Sequence, residues 1–428
     1  MGSRSVVLLV LGFFSAFHAT AQDQPAPLAV DGYVTRVASS IDFDVNGVRV
    51  VCAGKTHFSE HRSIGLAELP GPGTLYVGEP AKIYGVLNKK AHTVAAVTVV
   101  SEPEEPRAVS GRGIIDRVVS SQGELANTGE IEVRADGYLI LITKKTASTF
   151  AAPMKSIADV GTNVWLQYAG KQRADGVVVA EKAGFAPNVI GGAEGRLRKQ
   201  REYDPAAVDP DKKQGVLNRA LRCYDPKKFA PYKDDAMQAR VDRVGASLVP
   251  EYQRALPDAD PTKIHFRFQL IDTDRFRGGM SLASGIVLLP KQVVERMQND
   301  SQLAAVLADN MAITLEKQDY RDLLAQEKMT GLQLAGDAAG LFVPGLGVAT
   351  IVANNRIAAA IQRREDQQSV RVSLGLMRDA GYDVYEAPRA WWLLAPKRPK
   401  DLADTEMPVL SGDAYLALGS SWREAPAE

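Results

Sequence analysis

The feature that most limits what this chain can fold into is an internal repeat. Gly32-Tyr-Val-Thr-Arg-Val and Gly113-Ile-Ile-Asp-Arg-Val each open a run of short apolar segments broken by turn residues. Further on, GEPAKIYGVLNKKAHTVAAVTVV (78–100) corresponds to GTNVWLQYAGKQRADGVVVAEKA (161–183). Alternation with a period of two is the signature of strands with one buried face, and Asn46-Gly47 is a strong hairpin turn. Strand sets of this size close into small barrels of OB-like type, so two such repeats are expected at 29–100 and 109–188. Barrels of this kind often bind oligomeric ligands, but a fold alone does not assign a function.

The rest of the chain reads differently. Residues 189–232 are polar, charged and rich in Gly and Pro, and are expected to be an extended linker. From 234 to about 400 the pattern is α+β and mainly helical, followed by a polar tail at 401–428. Val241, Val244, Leu248 and Tyr252 share one helical face. Residues 264–271 and 285–289 are strand candidates, 291–297 a helix, and Ser301 a candidate N-cap for the helix over 303–317. The Gly-rich apolar stretch 331–352 carries Asp337 and Pro344, which favours a buried helical hairpin over a membrane span.

The first residues predict export. Arg4 gives a positive start, residues 6–14 an apolar run too short to span a bilayer, and Ala19-Thr20-Ala21 a small-residue cleavage site. A signal peptide over 1–21 is expected, leaving a periplasmic or secreted protein that begins near Gln22. Cys52 and Cys223 are the two cysteines, and the sequence leaves open whether they pair. Lys plus Arg equals Asp plus Glu at 51 each, so overall charge gives no reason to expect nucleic acid or an anionic membrane as partner.

The segment with chemical content is LAAVLADNMAITLEKQ, 303–318. Together with GMSLASGIVLLPKQVVERM (279–297) and LGLMRDAGYD (374–383), in that order, it resembles the zinc metallopeptidases of the HtpX and CAAX-prenyl-protease type. That family carries E-L-A-A-V-L-A-H-E-x-A-H on its active-site helix, and its periplasmic members serve outer-membrane protein quality control. The resemblance covers under half of the chain and implies a metallopeptidase-like domain with a substrate groove at Ser284, Gly285, Ile286 and Val287. It also implies where the chemistry should stand. The two histidine positions are Asp309 and Ile313, the catalytic glutamate position is Asn310, and the third-ligand position, counted back from Ala380-Gly381-Tyr382, is Gln368. An isoleucine offers no lone pair to a metal, and an amide neither takes a proton from zinc-bound water nor ligates zinc well.

The expectation is therefore a degenerate, non-catalytic peptidase fold that binds a peptide or protein, with no cofactor. The alternatives are an active endopeptidase using zinc on non-standard ligands and an envelope scaffold. For the metal alternative, His57-Phe-Ser-Glu60-His61 matches the inverted H-x-x-E-H pattern, which needs a helix to bring both histidines to one face. Gly345-Leu-Gly347 is not preceded by a strand, so a dinucleotide site is not expected there. Trp391-Trp392 reads as helix packing. Oligomeric state is not legible.

Overall fold

A computed structural model describes residues 27–45, 48–62, 65–69, 80–88, 93–101, 108–120, 128–173, 176–204, 229–274, 278–321, 355–395, 410–414 and 417–418. The expected signal peptide, the charged, Pro-containing stretch 102–106 expected to be a hinge between the repeats, the expected hairpin at 331–352, Cys223 and most of the tail lie outside these residues, as do the turn positions Asn46-Gly47.

The chain is a mixed α/β protein with two barrel-like sheets and several helices. The first sheet contains β1 (Leu28–Ser39), β2 (Asp42–Val45), β3 (Val48–Arg62), β4 (Gly65–Leu69), β5 (Pro80–Asn88) and β6 (Thr93–Ser101). Its order is β2-β1-β5-β6-β3-β4, and pairing of β2 with β3 closes it. The second contains β7 (Ala108–Val118), β8 (Ile131–Ala135), β9 (Tyr138–Ile142), β10 (Ala147–Phe150), β11 (Val164–Gln172) and β12 (Val178–Pro187), in the order β10-β12-β11-β7-β8-β9 and closed by β9 on β12. In both, the last strand runs parallel to the third, and the fifth antiparallel to the first. Alternate residues fill each interior: Val34, Phe43, Val50 and Ile83 in one, Ile115, Val133, Ile140 and Leu166 in the other.

The likeness extends to atoms. Thr56 Oγ1 accepts the Ala53 N–H at 2.9 Å and donates to the Ala96 carbonyl at 2.7 Å. Thr146 Oγ1 accepts the Thr143 N–H at 2.9 Å and donates to the Ala180 carbonyl at 2.7 Å. Ala96 stands opposite Gly85 and Ala180 opposite Gly170, each next to a register shift. At both glycines a Cβ would collide with a backbone carbonyl, that of Ala95 or of Val179. The third strand runs on through this point as β3 in the first sheet and is broken there into β9 and β10 in the second. The shared Lys-Thr dipeptides, 55–56 and 145–146, are a sequence signal that strand-level matching overlooks.

The third part is a small sheet with helices. β13 (Arg267–Ile271) lies parallel to β15 (Ile286–Pro290), and β14 (Met280–Ser281) lies antiparallel on the other side of β15. The helices that accompany it include α1 (Gly192–Gln200), α2 (Asp235–Ser247), α3 (Glu251–Ala255), α4 (Lys291–Arg296), α5 (Asp300–Leu315), α6 (Asn355–Asp379) and α7 (Ala387–Leu394). The α1 helix corrects the expectation of extended chain at 189–232. Its charged residues hide an inward set of Ala193, Glu194 and Leu197. The N-cap of α5 is Asn299, whose side chain accepts the Gln302 N–H, whereas Ser301 Oγ accepts the Asp383 N–H.

The end of α6 explains the Ala380-Gly381-Tyr382 segment. Gly381 has φ +78°, its N–H reaches the Arg378 carbonyl, and the Tyr382 N–H reaches Met377. This left-handed cap satisfies carbonyls that would otherwise be orphaned. The helical part does not own its core alone. Ile114, Trp165 and Ala186 of the second barrel belong to the same apolar cluster as Val244, Leu289, Leu307 and Leu374.

Candidate functional site

The α5 helix is apolar on nearly every face, which makes it a central, buried element. Asp300 at its start pairs with Arg240 at 2.8 Å and Arg243 at 2.9 Å, placing negative charge at the positive end of the helix dipole. Gln302 Nε2 donates to Glu386 at 2.6 Å and ties α5 to the start of α7.

Asp309 and Asn310 are buried, at 6 % and 3 % exposure. Asn310 Nδ2 donates to the Val306 carbonyl one turn back, at 2.8 Å. Gly279, just before β14, leaves room for that amide; a Cβ there would stand 2.5 Å from Asn310 Nδ2. One turn on from Asp309, Ile313 is half-buried. Nearby, Ser281 and Thr314 share a hydroxyl–hydroxyl bond that fastens β14 to α5.

Gln368 does not join this group through its hydrogen bonds. Its Nε2 donates to the Arg112 carbonyl at 2.6 Å and to Glu316 at 3.3 Å, and its Oε1 accepts from Arg321 at 2.8 Å and Gln318 at 3.2 Å. Glu316 lies seven residues past Asp309, about 10 Å along a helix. The third-ligand position is thus built into the junction between α5, α6 and the second barrel.

That junction is a set of buried charges. Arg371 Nη2 binds Asp136 at 2.7 Å, its Nε donates to the Asp136 carbonyl, and its guanidinium lies 4.4 Å from the Tyr138 ring. Tyr168 donates its hydroxyl to Asp136 at 2.8 Å. Asp136 and Gly137, with φ +56° and +70°, form the two-residue turn between β8 and β9, an Asp-Gly signal as legible as Asn46-Gly47 but passed over. Arg134 binds Asp116 at 2.8 Å and also Asp379. Burial opposes the Arg134 charge, and the two carboxylates more than offset it, so its pKa is raised. On the far side, Lys317 donates to Glu194 at 2.8 Å and to the Val189 carbonyl at 3.0 Å. Burial pulls the Lys317 ammonium down to about 8, against Glu194.

Burial, and after it the Asp136 carboxylate, pushes Glu316 well above the usual carboxylate range and favours its neutral form. Burial, and after it Arg321, brings Arg112 down to about 9. The void left at this junction is about 10 Å³, bounded by Asp116, Asp136, Tyr252 and Glu316, which is less than a ligand needs.

The expected groove residues are placed as follows. Ser284 Oγ donates to the Arg201 carbonyl. Gly285 has φ +93°, and a Cβ there would meet Ile264 at 2.6 Å. Ile286 and Val287 are buried in β15, whose two edges are both covered, by β13 and β14. An incoming strand therefore finds no open edge at 285–289. The outer edge of β13 is partly capped as well: the Gln238 amide donates to the Phe268 carbonyl at 2.9 Å and accepts the Leu270 N–H at 3.0 Å, and Tyr232 N–H reaches the Leu270 carbonyl. Beyond that cap a cavity of about 540 Å³ opens between α2, α3 and β13, touching Ile286 from outside.

His57, Glu60 and His61 all lie within β3. A strand advances about 3.3 Å per residue, so positions 57 and 61 are about 13 Å apart, too far to share one ion. Among the described residues, no group of three or more His, Cys, Asp or Glu is arranged to hold a metal. No helix among them is long and apolar enough to cross a membrane. No protein-family model matches the chain, and no curated protein matches it.

Proposed function

We propose that the protein is an exported, non-catalytic binding protein for a peptide or protein, built from a peptidase-like helical body of the HtpX and CAAX-protease type and two OB-like barrels. The observation that carries this reading is the state of α5 and α6. The positions for two ligands, a base and a third ligand hold Asp309, Ile313, an Asn310 amide bonded to its own helix, and a Gln368 bonded to the second barrel. This donor set does not fit zinc, which takes three or four converging N, S or O ligands, and no hydrolytic step is assigned to it. The closed strand order, with third and last strands parallel, supports the OB-like reading of both repeats.

Purified mature protein, analysed for bound metal, assayed on casein with and without chelator, and applied to a peptide array, tests the proposal. The expected result is retention of peptides without zinc and without chelator-sensitive cleavage. Stoichiometric zinc together with chelator-sensitive cleavage overturns it in favour of the endopeptidase. An absence of any bound peptide or protein leaves the envelope scaffold.

A further inference from the structure

We propose that the cavity between α2, α3 and the outer edge of β13 binds a carboxylate attached to an apolar group. Its volume, about 540 Å³, lies in the range of small-ligand sites. Val249, Phe266, Phe268 and Ile286 give it apolar walls. Gly245 allows this shape, since a Cβ there would collide with the Phe268 ring that lies against α2.

Arg254 at the end of α3 and Arg267 at the start of β13 also line it, with Asp242 as the one acidic residue. Asp242 already accepts from Gln238 at 2.8 Å. Arg254 and Arg267 are exposed, and neither side chain has a hydrogen-bond or ion-pair partner among the described residues. Elsewhere the arginines at 134, 198, 240, 321 and 371 are paired with carboxylates. Two unpartnered guanidinium groups at the rim of an aromatic cavity are matched by one anionic oxygen pair on an apolar body.

The cap on β13 further defines the ligand. A chain pairing along Phe266 is stopped at Phe268, because the Gln238 amide already holds the Phe268 carbonyl and the Leu270 N–H. The site therefore suits a chain end or a small acid rather than a strand passing through. Two sources carry this chemistry: the C-terminal residue of a peptide, or a free apolar acid. The peptide source rests on the binding function proposed above; the free acid does not.

Calorimetric titration of the full mature chain distinguishes them. The probes are an N-acetylated tetrapeptide ending in a free phenylalanine carboxylate, its C-terminal amide, decanoate, and decanol. At least one acid is expected to bind, with its neutral twin about tenfold weaker, the size of one charge-assisted hydrogen bond. Arg254→Gln and Arg267→Gln should each weaken the acid by a similar factor, and Ala246→Phe, which fills the cavity from α2, should abolish it. Circular dichroism establishes that these surface variants fold. The acid that binds identifies the source. Absence of binding by both acids at millimolar concentration, equal binding of acid and neutral twin, or binding that survives both arginine substitutions overturns the proposal. Array peptides retained equally by wild type and Ala246→Phe would exclude the peptide source from this cavity while leaving the binding function intact.

Discussion

Gln368 Nε2 lies 2.6 Å from the Arg112 carbonyl oxygen, so a side chain of α6 is bonded to the main chain of β7, 256 residues away in sequence. The same nitrogen points at Glu316, and the opposite oxygen receives Arg321. An amide suits this place because it donates on one side and accepts on the other.

A carboxylate does not suit it. Gln368→Glu, the change that would restore a ligand type, sets an acceptor against the Arg112 carbonyl. It is expected to destabilise the protein by about 1–3 kcal/mol at neutral pH, the cost of an unsatisfied buried group. The loss should shrink in mildly acidic buffer, where a protonated carboxyl donates again. Urea denaturation at the two pH values measures it, and a variant as stable as wild type at neutral pH would contradict this bonding of Gln368.

The Lys317–Glu194 pair is buried on both sides, each side chain 3 % exposed. Lys317→Met leaves Glu194 with Arg198 alone and should cost about 3–5 kcal/mol, while the double change Glu194→Gln with Lys317→Met recovers much of it. The pH dependence has a definite sign. Between about 8 and the ordinary lysine value of 10.5, the unfolded chain holds a proton at Lys317 that the folded chain has lost. Unfolding free energy of wild type, relative to the double variant, should therefore rise with pH across that window. A double-mutant cycle run at both ends of the window checks both statements.

Thr56→Val and Thr146→Val remove matched hydroxyls. Each leaves an N–H and a carbonyl without that partner, with an expected loss of about 1–3 kcal/mol. The second should cost more, because Thr146 is buried and Thr56 half-buried. Thermal unfolding of the two variants tests the order.

Gly85→Ala and Gly170→Ala place a methyl against a neighbouring carbonyl that belongs to the ladder and has no rotamer to escape into. Each should lose about 1–3 kcal/mol. Gly54→Ala and Gly161→Ala are internal controls, since a Cβ at either meets nothing within 4 Å. These two should stay within about 0.5 kcal/mol of wild type.

What the sequence makes legible follows the range of the interactions involved. The barrel-like sheets show through because period-two alternation and turn residues are local, and repetition doubles the signal. The buried run of α5 and the glycine stop at Gly381 are local too. The junction is not: Gln368 can be counted onto α6, but nothing near it in sequence announces Arg112, Arg321 or Glu316. Ile286 and Val287 read correctly as strand, yet the sheet order that covers both edges of β15 depends on β14, a strand of two residues. The α1 helix was hidden because Glu194 and Arg198, which look like solvated linker charges, are an inward ion pair.

The position of Arg371 against the Asp136-Gly137 turn bears on where the molecule can be cut. The turn carries a glycine whose missing Cβ makes room for the Arg371 main chain, and the neighbouring aspartate neutralises the arginine. A fragment starting after the second barrel would expose Arg371, Glu316 and Gln368 to water with their partners gone, together with the apolar wall that Ile114 and Trp165 cover. The smallest separable piece containing the helical body therefore begins no later than β7, and the first barrel, with a core of its own, is the part to remove when dividing the labour of the chain.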